Sequence, residues 1–539
     1  MLRRFNVKNF MSFTGNESGV SDEFSMIPGK VRSKPDHIYK EGKLDMMKFA
    51  AIYGANASGK SNLVKAISCM REIVLTGETV NYRDKYSKIG TGNEMKPSYF
   101  EVELLLDGRI YSYGFEVVLS TLEFVSEWLV KLSRDGQDSV IFERDITNHD
   151  INVSKEWRRN DELYTRLSIY IEDTPTLFLN TINRINMNFY LKNGENADVM
   201  ILRKVYKWFE ESLNINGPDK PVYGHSFFTT MENVRMAIDI LNSYDTGITR
   251  LDLKEVEASE IENKISDSRS ADVLDAYREK VSEWNEMVIK NALRSKSIIE
   301  KELESYHLNK ERKNKRRDVL KSIDKMFSLF DPKLIQSVNK KYFDEIMVDS
   351  AEELDNAMKE STNDTKKIQN SCIGIHGRNN LFISKVFTDK RIVNYEVRTK
   401  HSDDNTFTFG EESDGTKRLW DILEVLMTAK NTTFIIDEID RCMHPALTYK
   451  FIRDFLRVSA GNNVQLIVTT HESRLLNNDL LRRDEVWLVD KRDDGSSGIY
   501  SLDEFKERND TKLDKAYLEG RYGGVPLFTS FFPYEEEEQ

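Results

Sequence analysis

An α/β fold is predicted for this chain, in which a glycine-rich loop joins a buried strand to a helix and a long helical insertion divides the sequence. Three observations predict it. Residues 54–61 read Gly-Ala-Asn-Ala-Ser-Gly-Lys-Ser between an apolar run and a helical pattern. Far downstream, one apolar strand ends in Asp437 and Glu438, and the next ends at His471. From 146 to 380, long charged segments with helical periodicity replace the strand patterns.

The loop at residues 54–61 is the first of these elements. Phe49–Tyr53 reads as a buried strand and residues 62–67 open a helix, so the glycines fall at a strand-to-helix turn. In such a loop, backbone N–H groups and the positive end of the helix surround phosphate oxygens. Lys60 would neutralise the β- and γ-phosphates, and Ser61 would place its hydroxyl on Mg²⁺. The candidate nucleotide contacts are Gly54, Asn56, Ser58, Gly59, Lys60, Ser61 and Asn62.

Two carboxylates follow the apolar strand at residues 432–436. We expect Asp437 to hold Mg²⁺ through water, and Glu438 to orient and deprotonate an attacking water. An apolar strand followed by acids is also an ordinary strand exit, so the interpretation depends on what comes next. An amphipathic helical pattern from Pro445 leads to another apolar strand, which delivers His471.

This order of strand with Asp-Glu, helix, and strand with His resembles the ATP-binding cassette (ABC) superfamily of P-loop ATPases. The resemblance implies that ATP is the ligand and that His471 contacts its γ-phosphate. Asn9-Phe10-x-Ser12-Phe13, at the end of an alternating N-terminal segment, is similar to the opening strand of RecF, Rad50 and related ATPases. The resemblance therefore implies a RecF/Rad50-like head, with a mixed core sheet and an antiparallel β-subdomain, and a transporter subunit is the poorer interpretation.

A weaker pattern lies between the two halves, in residues 412–419. Ser413 and Gly415 match the cassette signature, which completes the ATP site of the opposite subunit in a head-to-tail dimer; the alternative is a simple helix-capping turn. The preceding leucine and the second glycine of that signature are absent. Gln137 lies in a polar loop and is a poor match for the glutamine that senses Mg²⁺. These departures from the cassette pattern imply that hydrolysis is slow or depends on a partner.

Length and composition are typical of a large soluble protein. The chain has 539 residues, 31% of them charged, and a net charge of −12. It contains no apolar run of about eighteen residues, so we expect no membrane span. The sequence lacks the basic and apolar pattern of an export signal, so we expect the protein to be cytoplasmic.

The chain is predicted to divide into three parts. Residues 1–145 form the N-terminal half of the ATPase head, with a hairpin turning at Asp107-Gly108, and residues 381–539 form its C-terminal half. Residues 146–380 form the helical insertion, in which Val273, Tyr277, Val281, Trp284, Val288, Ile299, Leu303 and Tyr306 make an apolar stripe.

A basic run lies inside the insertion. Six of the eight residues from Lys310 to Arg317 are basic. The run indicates either a phosphate-contacting surface for DNA, RNA or tRNA or a solvated helix face.

The final segment, residues 515–526, resembles the closing motif of stand-alone cassette-type AAA ATPases from bacterial phage-defence and abortive-infection systems, such as Septu ATPases. That resemblance implies a nucleotide-gated regulator of a separately encoded nuclease or toxin. Two alternatives stay open, a RecF- or Rad50-like clamp that binds DNA and a nucleotide-gated scaffold without useful turnover.

Overall fold

A computed structural model describes residues 1–15, 22–133, 135–158, 176–184, 197–217, 228, 230–265, 271–304, 310–328, 330–342, 372–376, 380–386, 392–401, 405–428, 431–505 and 512–525. The chain divides into two compact units. The first comprises Met1–Lys220 and Thr428–Gln539, and the second comprises Pro221–Met427. The three-part division drawn from the sequence stays a prediction.

The elements are numbered along the chain. The strands are β1 (Leu2–Lys8), β2 (Asp22–Ser25), β3 (Ile38–Glu41), β4 (Leu44–Met47), β5 (Phe49–Tyr53), β6 (Ser98–Leu106), β7 (Arg109–Val118), β8 (Glu123–Leu132), β9 (Ser139–Asp145), β10 (Asp150–Val153), β11 (Leu213–Asn216), β12 (Arg250–Val256), β13 (Cys372–His376), β14 (Leu381–Val386), β15 (Ile392–Lys400), β16 (Thr406–Thr408), β17 (Thr432–Ile436), β18 (Val464–Thr469), β19 (Val486–Lys491) and β20 (Ser497–Ser501).

The α-helices are α1 (Lys60–Thr76), α2 (Lys155–Arg158), α3 (Phe178–Arg184), α4 (Ala197–Lys207), α5 (Met231–Ser243), α6 (Ala258–Ile265), α7 (Ala271–Glu304), α8 (Lys310–Phe327), α9 (Pro332–Lys341), α10 (Asp414–Ile422), α11 (Glu424–Met427), α12 (Pro445–Val458) and α13 (Leu513–Leu518). Within the described ranges, none of the helices combines the length and apolar character that crossing a bilayer requires.

A six-stranded sheet forms the centre of the first unit. Its order is β11-β17-β18-β5-β19-β20, and every pair is parallel except β19 with β20. All five residues of β5 are buried, as expected for a strand covered on both faces. Because β5, β17 and β18 run parallel, their carboxyl ends meet at the same edge of the sheet.

A seven-stranded antiparallel sheet completes this unit, in the order β10-β9-β8-β7-β6-β1-β2. The predicted hairpin is its β6–β7 pair, in which Leu106 faces Arg109. Both turn residues have positive φ, 49° at Asp107 and 71° at Gly108, which is the conformation that an Asp-Gly hairpin turn favours. The predicted α/β class, with a mixed sheet and an antiparallel subdomain, is confirmed.

Helix α1 joins the two sheets into one core. Its apolar stripe, which includes Leu63, Ile67, Met70 and Ile73, is buried in a cluster with side chains from both sheets. Burying each such side chain contributes about 1.5–3 kcal/mol to the stability of the fold. The start of α1 is therefore fixed against the sheet.

The other end of α1 is tied to α3. Asn180 Nδ2 donates to the carbonyls of Val74 and Leu75 at 2.9 and 2.8 Å, which satisfies helix-terminal acceptors. Glu127 on β8 in turn accepts hydrogen bonds from the backbone N–H groups of Phe178 and Leu179 at 2.6 and 3.0 Å. A fully buried carboxylate thus positions α3 against the end of the loop helix.

The second unit contains an antiparallel sheet and a group of long helices. The sheet has the order β12-β15-β14-β13, with β16 paired to β15. Helix α7 packs against α8 and α9. Within the described side chains, the predicted stripe is divided between two clusters. Trp284, Val288 and Ile299 are buried in one, with Leu303 packed against it, whereas Val281 packs against another that contains Val256 and Ile261. The side chains of Val273 and Tyr277, and residue Tyr306, lie outside the described part.

Replacing Glu127 with Ala should lower the free energy of unfolding by about 3–5 kcal/mol, because the substitution leaves Arg144 as a buried charge whose partner carboxylate at 3.5 Å is gone. Urea unfolding measures this change. Glu123→Ala, at an exposed position on the same strand, is the matched control and should shift stability by no more than about 0.5 kcal/mol. Equal unfolding free energies for Glu127→Ala and Glu123→Ala would contradict the stabilising role of the buried Glu127 carboxylate.

Candidate nucleotide-binding site

The phosphate-binding loop sits at the carboxyl end of β5. The strand ends at Tyr53 and α1 begins at Lys60, with Gly59 as the residue before the helix. The Asn62 and Leu63 N–H groups of the first turn donate to the Gly59 carbonyl, and the helix dipole places partial positive charge at this end of α1. The predicted strand-to-helix turn is thus present, and phosphate binding by its residues stays a prediction.

Close packing explains why glycine occupies two positions of this loop. A Cβ atom on Gly54 would lie 2.3 Å from the Val489 carbonyl oxygen. A Cβ atom on Gly59 would lie 2.1 Å from Ser497 Oγ, and Gly59 also has a φ of +117°. A side chain at Gly54 would displace the backbone of β19, and a side chain at Gly59 would displace Ser497 of β20.

Two serines that the sequence analysis did not assign to the site brace the loop. Ser497 Oγ donates to the Ser58 carbonyl at 2.5 Å and lies 2.7 Å from Ser12 Oγ. Asn62 Nδ2 donates to the same Ser12 Oγ at 2.8 Å. The sequence could have indicated Ser12, because it belongs to the Asn-Phe-x-Ser-Phe segment noted above. No pattern in the sequence pointed to Ser497. The direct nucleotide contact assigned to Asn62 stays a prediction.

Lys60 is buried inside the loop. Its Nζ atom donates to the carbonyls of Gly54 and Ala55 at 2.8 and 3.1 Å. Burial lowers the pKa of the Lys60 ammonium, and the carboxylates of Asp437, Glu438 and Asp440 act in the opposite direction. The loop lysine and the acids that follow β17 thus lie within electrostatic reach of each other.

Asp437 is fixed by strands on both sides of β17. Its backbone N–H donates to the Asn216 carbonyl of β11 at 2.8 Å. On the other side, Thr469 Oγ1 donates to Asp437 Oδ1 at 2.5 Å and accepts the Glu438 N–H at 2.8 Å. Thr469 was not predicted as a site residue, although its place at the end of the strand before His471 was a usable signal.

Glu438 adopts the left-handed backbone conformation, with a φ of 50°. A residue with a Cβ in this region costs about 1–3 kcal/mol, and such strain persists where the surrounding structure imposes it. Here the hydrogen bond of its N–H to Thr469 contributes to that constraint. Such a constrained backbone fixes the direction in which the Glu438 side chain leaves the chain, as a residue with a chemical role requires.

His471 lies at the end of β18, where its backbone N–H donates to Asp440 Oδ2 at 3.4 Å. Partial burial and the charge of Lys60 lower the pKa of His471 below its usual 6.5, while the carboxylates of Asp440, Glu438 and Asp437 act in the opposite direction. The imidazole is therefore neutral at pH 7. Asp440 is a further acidic residue of the site that sequence reasoning did not assign.

The described residues fit a Mg²⁺ site with few protein ligands. Asp437 presents a carboxylate that is 3% exposed, and Ser61 lies in the first turn of α1. Mg²⁺ keeps several waters and commonly takes one or two protein oxygens together with substrate phosphates.

Ser413 and Gly415 belong to the second unit. Ser413 caps α10, since its Oγ accepts the Thr416 N–H at 3.1 Å, and Gly415 lies in the first turn of that helix. The helix-capping turn that the sequence offered as an alternative is therefore present at the start of α10. The expectation that these residues complete the site of another copy stays a prediction.

Comparison with known proteins gives a family match. The family described as "AAA domain, putative AbiEii toxin, Type IV TA system" matches residues 49–168 and 288–477, which is more than half of the chain. The match includes the loop, Asp437, Glu438 and His471. No curated protein matches the sequence.

Solved structures similar to this chain include three heads of Smc proteins. The Smc head domain of Pyrococcus furiosus with an extended coiled coil, bound to the C-terminal domain of ScpA, is 16% identical, with 93% of this chain and 96% of that chain covered and a TM-score of 0.30. The SMC head domain of Thermotoga maritima is 12% identical, with coverages of 93% and 98% and a TM-score of 0.30. An SmcHead bound to the C-winged helix domain of ScpA is 13% identical, with coverages of 93% and 97% and a TM-score of 0.34.

The pKa of His471 should be measurable below 6.5 by NMR of protein carrying ¹³C-labelled histidine. Because the folded imidazole binds its proton less tightly than the unfolded one, the stability that this group contributes is present above about pH 6.5 and is lost as the pH falls further. Lys60→Met should raise the pKa of His471, and Lys131→Met, on β8, should leave it unchanged. A wild-type pKa above 6.5, or no effect of Lys60→Met, would refute the described electrostatics.

Proposed function

This chain belongs to the family described as AAA domain, putative AbiEii toxin, type IV TA system, and on that premise we propose that it binds and hydrolyses ATP. The single observation that carries the proposal is the meeting of Lys60, Asp437, Glu438 and His471 at one edge of the central sheet. A phosphate-binding loop, a metal-binding carboxylate, a second carboxylate and a histidine are together the groups that nucleotide hydrolysis requires.

The loop and Lys60 bind the phosphates. Backbone N–H groups at the start of α1 donate to phosphate oxygens, and Lys60 exchanges its carbonyl partners in the loop for the charge of the triphosphate. Ser61 and Asp437 would hold Mg²⁺, which would neutralise charge on the phosphate oxygens. Burial of Lys60 strengthens its attraction for phosphate, because a desolvated charge is less screened.

Glu438 and His471 carry the proton chemistry. The Glu438 carboxylate orients a water molecule and accepts its proton as the water oxygen forms a bond to the γ-phosphorus and the bond to the β,γ-bridging oxygen breaks. His471, neutral at pH 7, can donate a hydrogen bond to a γ-phosphate oxygen without adding a proton to the site. Thr469 fixes both acids by bonding to Asp437 and to the Glu438 N–H.

Two copies arranged head to tail would complete the site. Ser413 and Gly415 at the start of α10 present a helix N-terminus, which is a suitable cap for the phosphates bound by another copy. In this arrangement ATP closes the dimer and hydrolysis opens it, so that nucleotide state becomes a conformational signal. The degenerate signature is consistent with slow turnover or with turnover that depends on a partner.

The signal is proposed to regulate a separately encoded nuclease or toxin in cytoplasmic anti-phage defence, as in Septu-type systems. Support comes from the resemblance of residues 515–526 to the closing motif of such ATPases and from the toxin–antitoxin wording of the family description. The second candidate is an ATP-dependent DNA clamp. It is favoured by the basic run that begins α8, in which Lys315 and Arg317 are exposed.

Affinity capture distinguishes these candidates. The tagged full-length protein is recovered from its native host with ATP present, and co-purifying proteins and nucleic acids are identified. A stoichiometric nuclease or toxin supports the regulatory role. DNA with repair factors and no effector supports the clamp, and loss of that DNA on replacing Lys315 and Arg317 with Glu would assign it to α8.

Glu438→Gln should lower ATP turnover by about 10²–10⁴-fold, because the amide cannot accept the proton of water. ATP binding should persist, so the variant should accumulate as an ATP-bound dimer in size-exclusion chromatography with light scattering. Phosphate release and dimer content are measured together. The matched control is Glu123→Gln on β8, which should behave as wild type. Equal turnover and equal dimer content in Glu438→Gln and wild type would reject the role of Glu438.

A further inference from the structure

The segment Leu513–Val525, named here the C-terminal latch, folds against the phosphate-binding loop. It consists of α13 followed by a glycine-rich turn in which Gly520, Gly523 and Gly524 all have positive φ. This is most of the closing motif noted in the sequence; Pro526 lies outside the described residues. The hydrolysis chemistry derived above uses no residue of the latch.

Tyr517 connects the latch to the start of the loop. Its ring meets the ring of Tyr53 edge to face, with centroids 5.5 Å apart, and its hydroxyl donates to the Gly524 carbonyl at 3.0 Å. Burial raises the pKa of the Tyr517 phenol, and a hydrogen bond from the Gly54 backbone N–H acts in the opposite direction. The hydroxyl therefore binds Gly524 of the latch and lies beside Gly54, the first glycine of the loop.

The backbones of the latch and the loop lie in van der Waals contact at Gly524. A Cβ atom on Gly524 would lie 3.5 Å from the Gly54 Cα and 3.4 Å from Leu488 Cδ2. At Gly523 a Cβ atom would lie 2.5 Å from Asp490 Oδ2 and 2.6 Å from the Tyr500 hydroxyl. Gly524 has a φ of +69°, which favours glycine at this contact, whereas the atoms close to Gly523 are side-chain ends on β19 and β20.

Two anchors outside the loop hold the latch in place. The Gly524 N–H donates to Asp490 Oδ2 at 2.9 Å, and the Tyr500 hydroxyl donates to the Tyr522 carbonyl at 2.7 Å. Asp490 lies on β19, the neighbour of β5 in the sheet, and Tyr500 lies on β20, the edge strand that pairs with β19. The latch is thus bonded to the central sheet through Asp490 and Tyr500 and contacts the start of the glycine-rich loop through Tyr517 and Gly524.

The latch also reaches the turn that follows the histidine. Helix α13 packs against the 3-10 turn Ser473–Leu475, which begins two residues after His471. Tyr53, on which Tyr517 packs, donates its hydroxyl to the Glu472 carbonyl at 3.1 Å. One segment therefore contacts both the start of the phosphate-binding loop and the strand end that carries His471.

We propose that the C-terminal latch holds Gly54 in its phosphate-binding position and thereby sets the affinity for ATP, with Tyr517 as the positioning residue. This inference rests on the proposed ATP binding. Coupling between two sites is reciprocal, so a latch that strengthens ATP binding must itself be stabilised by ATP. A segment that merely closes the fold would contribute to the unfolding free energy without responding to nucleotide.

The test compares Tyr517→Phe with wild type and with Tyr82→Phe. Tyr82 is the matched control, because its hydroxyl donates to Glu72 Oε2 at 2.5 Å in the same unit and it takes no part in the latch or the site. Binding of a fluorescent ATP analogue with Mg²⁺ is measured well below the unfolding temperature. Loss of one hydrogen bond that is coupled to binding should raise the Kd about three- to tenfold in Tyr517→Phe. Tyr82→Phe should stay within about twofold of wild type.

Hydrogen–deuterium exchange supplies the reciprocal measurement. ATP should slow the exchange of amides in residues 513–525 of wild type, and this protection should be reduced in Tyr517→Phe. Tyr500→Phe is a second latch variant, which removes the anchor to the Tyr522 carbonyl without touching Tyr53 or Gly54, and it remains informative if Tyr517→Phe does not fold. It should weaken ATP binding in the same direction.

The outcomes separate this proposal from the proposed function. If wild type binds ATP and both latch variants bind it as tightly, or if ATP leaves exchange in residues 513–525 unchanged, the latch is a structural closure only and the inference is overturned while ATP binding stands. If wild type itself does not bind ATP, the proposed function fails and the latch proposal fails with it.

Discussion

The parallel register of β5, β17 and β18 is the constraint on which the rest of the structure depends. Ile436 pairs with Val468, and Thr469 pairs with Ile52, so the three strands end level with one another. The loop after β5, the acids after β17 and the histidine after β18 therefore emerge at one edge. A slip of one residue would turn every side chain of a strand to the opposite face, and it would also separate Thr469 from the two acids.

The apolar core of the first unit stabilises the fold, whereas the charged edge of the central sheet carries the backbone strain. The sheet core is apolar and fully buried, and α1 connects it to the antiparallel sheet in one hydrophobic cluster. The edge itself holds Lys60 near three carboxylates, and Glu438 has a left-handed backbone. These features cost free energy locally, and the packed core around them keeps them in place.

The conformation of the loop is set by segments from both ends of the described sequence. Ser12 precedes the loop by many residues, Ser497 follows it by several hundred, and Tyr517 lies further still, yet all three touch the loop or its flanks. A short glycine-rich segment has little conformational preference of its own. Its shape is consequently a property of the packed unit and depends on contacts with residues far away in the sequence.

The sequence by itself determined the features that depend on local patterns. The all-buried β5, the hairpin at Asp107-Gly108 and the helix beginning at Pro445 follow from apolar periodicity and turn chemistry, and the structure has them at the predicted places. Only the tertiary structure decided that β11, from within the predicted insertion, extends the central sheet and that Thr469 bonds to both acids. Periodicity reports which face of an element is buried, whereas hydrogen-bond partners hundreds of residues apart are fixed only when the elements pack.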